Sequence, residues 1–324
     1  MNHVYLLPIE PMPTRYSVEW LGWFKSAMGQ QGIPYTVVDP NVAQTDQGAA
    51  AFSSPFVACE YRARQLAELS RLLAVHPASS SPVVFAMDGW FPGIESIAML
   101  RDLGGLKIKL VGIFHGGLWD DHDFLQGKVG EWANKFEQSA LEAFDTIILA
   151  SEHHRLMIYN QDMGDEQKTK VVRFPVMEPP APNATAKEKI VLWPHRISAE
   201  KNPQLFTTLE KLFREKYADQ VKFIRTRDVC ATKGDYHALL ERAKVCVSTA
   251  EQETFGISML EAANFGCAPI CPNDLSYPEF IEPRFLYDGL AQAVDLIAKY
   301  LNEPANPRPY AGSTSLEWLS EVLC

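Results

Sequence analysis

Two glutamates on either side of a Phe-Gly turn mark the second half of the chain. Glu253 precedes the turn at Phe255-Gly256, and Glu261 follows it in the predicted helix 257–263, with seven residues between the two carboxylates. The apolar run 245–248 is typical of a buried strand. Because the first N–H groups of a helix have no partner within it, a strand, a glycine turn and a helix form a place for phosphate. Glu253 could face a ligand at the helix start, and Glu261 could reach further along it.

Arg196 and Lys201 form a second polar group, which follows the apolar run 190–193 and precedes a helix predicted to begin near Pro203. A departing diphosphate develops negative charge, which fixed cations can stabilise. The sequence shows no paired aspartates to hold a metal, so we expect these two cations to act in a metal's place. Taken alone, each pattern also fits surface residues, either glutamates on an ordinary strand–helix–strand unit or cations flanking a loop.

Taken together, the two segments resemble retaining GT-B glycosyltransferases of the GT4-type group. The glutamate pair, the Phe-Gly turn and the trailing Gly266-Cys267-Ala268-Pro269 are similar to that group's Glu-x7-Glu motif. The segment 196–202 is similar to its Arg-to-Glu-Lys-Asn segment, with His195 in place of the usual glycine. The joint pattern is specific enough to set the surface interpretation aside.

The resemblance implies a role for each residue of the motifs. Glu253 would contact the donor sugar, and Glu261 would bind the nucleotide ribose. The backbone of Phe255, Gly256 and Ile257 would hold the diphosphate, which Arg196 and Lys201 would neutralise as it leaves. The expected donor is a nucleotide sugar, in particular a UDP-sugar, with no cofactor and no metal. The expected reaction is front-side attack with retention, in which the leaving phosphate accepts the acceptor's proton.

His115 is a candidate in the first half of the chain. It directly follows a predicted buried strand and precedes two glycines, so its ring should stand at the end of that strand. In the resembled family a histidine at this place contacts the donor sugar or the reacting oxygens. Asp120 and Asp121 fit two roles equally well, binding acceptor hydroxyls or capping the next helix.

The acceptor has two conflicting signals. Segments 8–17, 90–95 and 115–125 resemble bacteriophage-encoded glycosyltransferases thought to decorate hydroxymethylated pyrimidines in phage DNA, where Arg15 and Tyr16 could meet an acceptor. A base inside a duplex would have to be flipped out to react. Segment 193–196, Trp-Pro-His-Arg, instead resembles the branch that glycosylates queuosine in tRNA. A small glycan acceptor and a non-catalytic sugar-nucleotide-binding protein are further alternatives.

Composition limits the classes of protein to which the chain could belong. The chain has 324 residues, 47% of them apolar, and a formal net charge of −10, which opposes non-specific binding of nucleic acid. Its apolar runs are strand-sized, and the N-terminus lacks a signal-peptide pattern. The six cysteines read as reduced thiols. We therefore expect a cytoplasmic protein, in the host cell if phage-encoded, with no membrane contact and no obligate protein partner.

Strand-like and helix-like segments alternate along the chain. Helices are predicted over 15–31, 55–73, 203–216 and 236–243, and Arg62, Arg64 and Arg71 in the second of these are interpreted as a solvated face. The rhythm favours an α/β fold of GT-B type, with two Rossmann-like domains facing a central cleft. The predicted boundaries are an acceptor-binding domain at 1–176, a linker at 177–187, a nucleotide-sugar-binding domain at 188–308, and a C-terminal helix within 309–324 that crosses back to the first domain.

Overall fold

The chain divides into two compact units. In the computed structural model, the first unit is Met1–Pro175 with Ser313–Cys324, and the second is Val176–Gly312. The structure describes residues 2–12, 16–40, 42, 54–77, 79–123, 125–179, 186–217, 220–310, 312 and 316–323. Much of the predicted linker, 180–185, therefore lies outside the described residues. No helix within these ranges combines the length and apolar character needed to cross a membrane.

The first unit alternates strands and helices. In chain order its elements are β1 (Val4–Leu7), α1 (Tyr16–Gln30), β2 (Tyr35–Val37), α2 (Pro55–Ala74), β3 (Val83–Ala86), α3 (Ile94–Gly104), β4 (Lys109–Ile113), α4 (Trp132–Ala143), β5 (Thr146–Leu149), α5 (Glu152–Asn160) and β6 (Thr169–Val171). The strands form one parallel sheet in the order β2-β1-β3-β4-β5-β6. The direction of winding therefore reverses between β1 and β3.

Burial explains why these segments are strands and helices. Every residue of β1, β3 and β5 is buried, as expected for parallel strands covered on both faces. In α1 the buried residues Trp20, Phe24, Ala27 and Met28 recur at helical spacing. The Trp20 ring stacks on Phe174 with 4.7 Å between centroids. Helix α1 thus buries its apolar face within the first unit.

The second unit has the same architecture. Its elements are β7 (Glu188–Trp193), α6 (Pro203–Lys216), β8 (Lys222–Arg225), α7 (Thr226–Val229), α8 (Lys233–Arg242), β9 (Ala243–Val247), α9 (Ile257–Asn264), β10 (Ala268–Pro272), α10 (Tyr277–Phe280), β11 (Leu286–Tyr287) and α11 (Leu290–Asn302). The strands are parallel in the order β11-β10-β9-β7-β8. Here the winding reverses between β7 and β9, and ligands in such sheets bind at the carboxyl ends beside that point.

A final helix, α12 (Trp318–Leu323), packs within the first unit. Leu316, Leu319 and Leu323 are fully buried. Lys109 donates a 2.6 Å hydrogen bond from Nζ to the Val322 carbonyl. The segment 316–323 is therefore part of the core of the first unit, although the whole of the second unit, Val176–Gly312, precedes it in the chain.

Candidate functional site

The carboxyl ends of β7 and β9 are joined by a buried histidine. His195, which is 5% exposed, places Nε2 3.0 Å from the Ser248 hydroxyl oxygen. The same hydroxyl lies 2.6 Å from the Tyr277 hydroxyl and accepts the Ala250 N–H at 3.2 Å. Burial, followed by the nearby positive charge of Lys201, lowers the pKa of His195 to about 3. The imidazole at this switch point is therefore neutral at physiological pH.

A threonine fixes the loop after β7 against the end of β9. The Trp193 indole N–H donates to the Thr249 hydroxyl at 2.8 Å. That hydroxyl in turn lies 2.9 Å from the Lys201 carbonyl and 3.0 Å from the Asn202 carbonyl, either of which it can donate to. Thr249 thus fixes the backbone at Lys201 and Asn202 against the end of β9.

Lys201 and Glu253 form a nearly buried ion pair. Lys201 Nζ contacts the Gln252 carbonyl, lies 3.2 Å from the Gln252 side-chain oxygen, and lies 3.4 Å from Glu253 Oε2. Burial would raise the pKa of Glu253, but Lys201 and the N–H groups of Gly256 and Phe255 outweigh it and hold the pKa below its usual value. Glu253 therefore carries its charge at the start of α9.

Gly256 shapes the start of α9. It adopts the left-handed conformation, with φ of 82°, and no side chain caps the helix. A Cβ at this position would lie 3.0 Å from Cε1 of Tyr277. Glycine meets both requirements, because it has no side chain to strain or to clash. The N–H groups of the first turn, with the helix dipole behind them, point toward whatever lies above this end.

Gly256→Ala is expected to lower the free energy of unfolding by about 1 to 2 kcal/mol, the usual cost of a left-handed non-glycine residue. It should also weaken binding of UDP, because the turn must shift away from Tyr277. Urea unfolding and calorimetric titration with UDP measure the two effects. Gly234→Ala is a matched control, since a Cβ there meets only ordinary contact, 3.5 Å from Thr232 Oγ1. Equal stability of the two variants would contradict the expectation.

Glu261 lies deeper than Glu253. It is 3% exposed, and its Oε1 lies 3.7 Å from Nζ of Lys233 at the start of α8. Burial and then the Glu261 charge raise the pKa of Tyr236 well above its usual value, so this hydroxyl stays protonated beside the carboxylate. Glu261, the residue predicted to bind the ribose, therefore contacts α8, and no pattern in the sequence indicated this contact.

Arg196 is paired with an acid that the sequence analysis also missed. Its Nη2 lies 2.7 Å from Glu200 Oε1, and its Nε donates to the same oxygen at 2.8 Å. The Ser198 hydroxyl donates to that oxygen at 2.7 Å. Burial would raise the pKa of Glu200, but Ser198 and Arg196 prevail and lower it. Both predicted cations therefore have a carboxylate partner, Glu200 for Arg196 and Glu253 for Lys201. Of the predicted donor residues, Arg196, Lys201, Glu253, Phe255, Gly256, Ile257 and Glu261 all lie in the second unit.

His115 lies in the first unit, directly after β4. Its Nε2 is 2.8 Å from the Met87 carbonyl oxygen, which follows β3. Its ring lies 5.6 Å from that of Tyr16 and 5.5 Å from that of Trp20. The structure thus brings together His115 and Tyr16, which the sequence predicted for different roles. Arg15 lies outside the described residues.

Asp120 and Asp121 differ in their surroundings. Asp120 is 4% exposed, and its Oδ1 accepts the His122 N–H at 2.9 Å, which organises the local turn. Asp121 is exposed. A further buried acid, Glu137 in α4, accepts the Leu118 N–H at 2.9 Å and the Trp90 indole N–H at 2.7 Å. Glu137 therefore holds the loop that follows His115, and no spacing in the sequence pointed to it.

The free energy of unfolding should depend on pH because of Glu137. Burial raises the pKa of this carboxyl from 4.5 to about 7, against the opposing effect of its two hydrogen-bond donors. Because the folded chain holds this proton more tightly than the unfolded chain, the free energy of unfolding contributed by Glu137 falls as pH rises through that window. Glu137→Gln should therefore gain stability relative to the unchanged protein as pH rises. Urea unfolding across the window tests this, and a difference that stays constant with pH would contradict it.

Comparison with known sequences finds two similarities. Residues 228–311 match the family described as "Glycosyl transferases group 1". The chain is also similar to the tRNA-queuosine alpha-mannosyltransferase of Drosophila melanogaster, with 32% identity over 143 residues. That similarity covers 36% of this chain and 38% of the relative, so the chain spans about two fifths of the length of the curated relative it matches.

Solved structures show the fold. Sucrose-phosphate synthase from Thermosynechococcus elongatus matches with a TM-score of 0.68 and 15% identity, over 100% of this chain and 95% of that one. WaaG, a glycosyltransferase involved in lipopolysaccharide biosynthesis, matches with a TM-score of 0.59 and 13% identity, over 94% and 92%. A mutant of S. aureus TarM in complex with UDP and two other ligands matches with a TM-score of 0.57 and 19% identity, over 82% and 56%. The chain has the GT-B fold, with two Rossmann-like α/β domains.

Proposed function

We propose that this protein is a retaining glycosyltransferase that moves a sugar from a nucleotide-sugar donor, a UDP-sugar, to an acceptor hydroxyl. The observation that carries the proposal is the ionised Glu253 beside Lys201 at the uncapped, glycine-started end of α9. The match of residues 228–311 to group 1 glycosyl transferases supports it. The UDP bound in the TarM structure supports this choice of nucleotide.

In the proposed reaction the bond between the sugar C1 and the diphosphate oxygen breaks. A bond from the acceptor oxygen to C1 forms on the same face, and the leaving phosphate accepts the acceptor's proton. Lys201, Arg196 and the first N–H groups of α9 stabilise the charge that develops on the diphosphate, without a metal. Glu253 orients the donor sugar, Glu261 binds the ribose, and His115 contacts the reacting sugar.

We propose a hydroxymethylated pyrimidine in phage DNA as the acceptor, with transfer in the cytoplasm of the host cell. The base would be flipped out of its duplex to expose the hydroxyl, with Arg15, Tyr16, Asp120 and Asp121 as candidate contacts. A tRNA nucleoside is a second candidate, favoured by the 32% identity to a tRNA-queuosine alpha-mannosyltransferase.

A direct transfer assay tests both the activity and the acceptor. Radiolabelled UDP- and GDP-sugars are offered, with a chelator present, to DNA containing hydroxymethylcytosine or hydroxymethyluracil, to unmodified DNA and to bulk tRNA. If label from a UDP-sugar enters only hydroxymethylated DNA, the proposal is supported in full. If label enters tRNA instead, the acceptor is a tRNA nucleoside. The anomeric configuration of the product, measured by NMR, tests retention. No transfer and no donor hydrolysis with any pair would refute the proposed function.

A further inference from the structure

Three charged side chains meet at the switch point of the first sheet. Glu10 lies three residues beyond β1, and Asp88 lies two residues beyond β3. Arg62 of α2 lies between them. We call Glu10, Arg62 and Asp88 the edge triad. Because winding reverses between β1 and β3, their carboxyl ends leave a crevice of the kind in which α/β sheets bind ligands. The Lys201–Glu253 pair occupies the equivalent place, beside β7 and β9, in the second sheet.

Arg62 is fixed in the triad by several contacts. Its Nη1 donates to the Pro8 carbonyl at 3.3 Å and to the Gln65 side-chain oxygen at 3.1 Å. Its guanidinium carbon lies 4.7 Å from the centroid of the Phe91 ring. Arg62 is 7% exposed, and the predicted solvated face of α2 was wrong for this residue. The guanidinium is therefore a built part of the sheet edge.

The two carboxylates keep unused hydrogen-bond capacity. Arg62 Nη2 lies 3.6 Å from Glu10 Oε2 and 3.7 Å from Asp88 Oδ2, which is longer than a hydrogen bond. Asp88 Oδ1 accepts the Trp90 N–H at 3.1 Å. Among the described residues nothing donates a hydrogen bond to the carboxylate of Glu10, which is 6% exposed. Glu10 Oε2 and Asp88 Oδ2 therefore have the capacity to accept hydrogen bonds from a ligand.

The charge of the triad selects the kind of ligand. Two carboxylates face one guanidinium, so an anionic group such as phosphate is repelled, whereas hydroxyl and amino groups can donate to both acids. Trp90 follows Asp88 by two residues, and Glu137 fixes its indole N–H. Trp132, 54% exposed, has its ring centroid 6.5 Å from that of Trp90. Aromatic side chains of this kind suit the face of a ring compound.

We infer that the edge triad binds the acceptor, with Glu10 and Asp88 accepting hydrogen bonds from hydroxyl or amino groups of a neutral or cationic ring compound beside Trp90. The inference rests on the proposed function and deepens it, because it names the end of the acceptor that enters the crevice. A modified nucleoside would enter by its base, and its phosphates would remain outside the triad.

Two isosteric variants test the inference. Glu10→Gln and Asp88→Asn each remove one charge without changing shape, and Glu68→Gln removes an exposed charge from the same helix as Arg62. Transfer is measured with an oligonucleotide containing hydroxymethylcytosine and with tRNA. Donor hydrolysis without acceptor and calorimetric binding of UDP are measured in parallel. Each triad variant should raise the KM of the acceptor about tenfold or more, the usual effect of losing a hydrogen bond to a charged group. Hydrolysis, UDP binding and Glu68→Gln should stay within about twofold of the unchanged protein.

Several outcomes would overturn the inference. If both triad variants transfer sugar with an unchanged KM, or if donor hydrolysis falls in step with transfer, the triad is not an acceptor site. If one variant fails to fold, as judged by circular dichroism, the other decides the question alone. If the unchanged protein neither binds UDP nor cleaves any donor, the proposed function fails and this inference fails with it. If only the inference about the acceptor site is wrong, both variants still transfer sugar as the unchanged protein does.

Discussion

Glu253→Gln is expected to reduce sugar transfer by roughly 100-fold or more, the usual effect of removing one preorganised electrostatic contact from a transition state. The variant should remain folded. Lys201 would keep the Gln252 carbonyl and side-chain oxygen as partners, and the shape of the site would not change. The rate of transfer is measured at saturating donor, together with the affinity for UDP.

Glu251→Gln is the matched control for this experiment. Glu251 lies two residues earlier on the same loop and is exposed, with Oε1 accepting a 2.7 Å hydrogen bond from the Asn202 side-chain nitrogen. We expect it to transfer sugar at a rate within about twofold of the unchanged protein. If Glu253→Gln transfers sugar as fast as Glu251→Gln, Glu253 has no part in the chemistry.

Lys201→Met is expected to abolish transfer and also to destabilise the fold by about 3 kcal/mol, the lower end of the cost of leaving one partner of a buried pair alone. Lys201 is 7% exposed, and Glu253 would be left as a carboxylate without its cation. The pKa of Glu253 should rise, because Lys201 is the strongest of the groups that lower it. Urea unfolding measures the loss of stability, and the transfer assay measures the loss of activity.

The double variant Lys201→Met with Glu253→Gln separates the two effects. Removing both charges leaves no unpaired carboxylate, so much of the lost stability should return, while transfer should stay absent. A double variant that is as unstable as the sum of its two parents would show that the pair contributes nothing through charge.

Motifs with a fixed spacing were readable in the sequence. The strand before Glu253, the glycine at 256 and the helix after it have the predicted order, and the structure joins Lys201 to Glu253 across 52 positions of the chain. The GT-B fold class is confirmed as well. These features were accessible because a glycine with positive φ and a carboxylate at a helix start leave a signature within a dozen residues.

Partners contributed by distant segments were not readable. Glu10, Arg62 and Asp88 meet only because β1 and β3 lie side by side, and no local pattern records that adjacency.

A capping interaction can also start a helix before its apolar pattern begins. The helix predicted from 236 begins at Lys233, because Thr232 and Asp235 form a reciprocal capping box ahead of it. In α11, which the sequence analysis left out, the buried positions do follow a helical period.

The return of residues 316–323 to the first unit sets an order of events during synthesis. The second unit is one continuous stretch, so it can close as soon as residue 312 has left the ribosome. Part of the apolar core of the first unit stays exposed until Leu316, Leu319 and Leu323 have been synthesised and can cover it. The part of the chain made first is therefore the last to become complete, and in the interval the apolar surface that these leucines cover stays exposed.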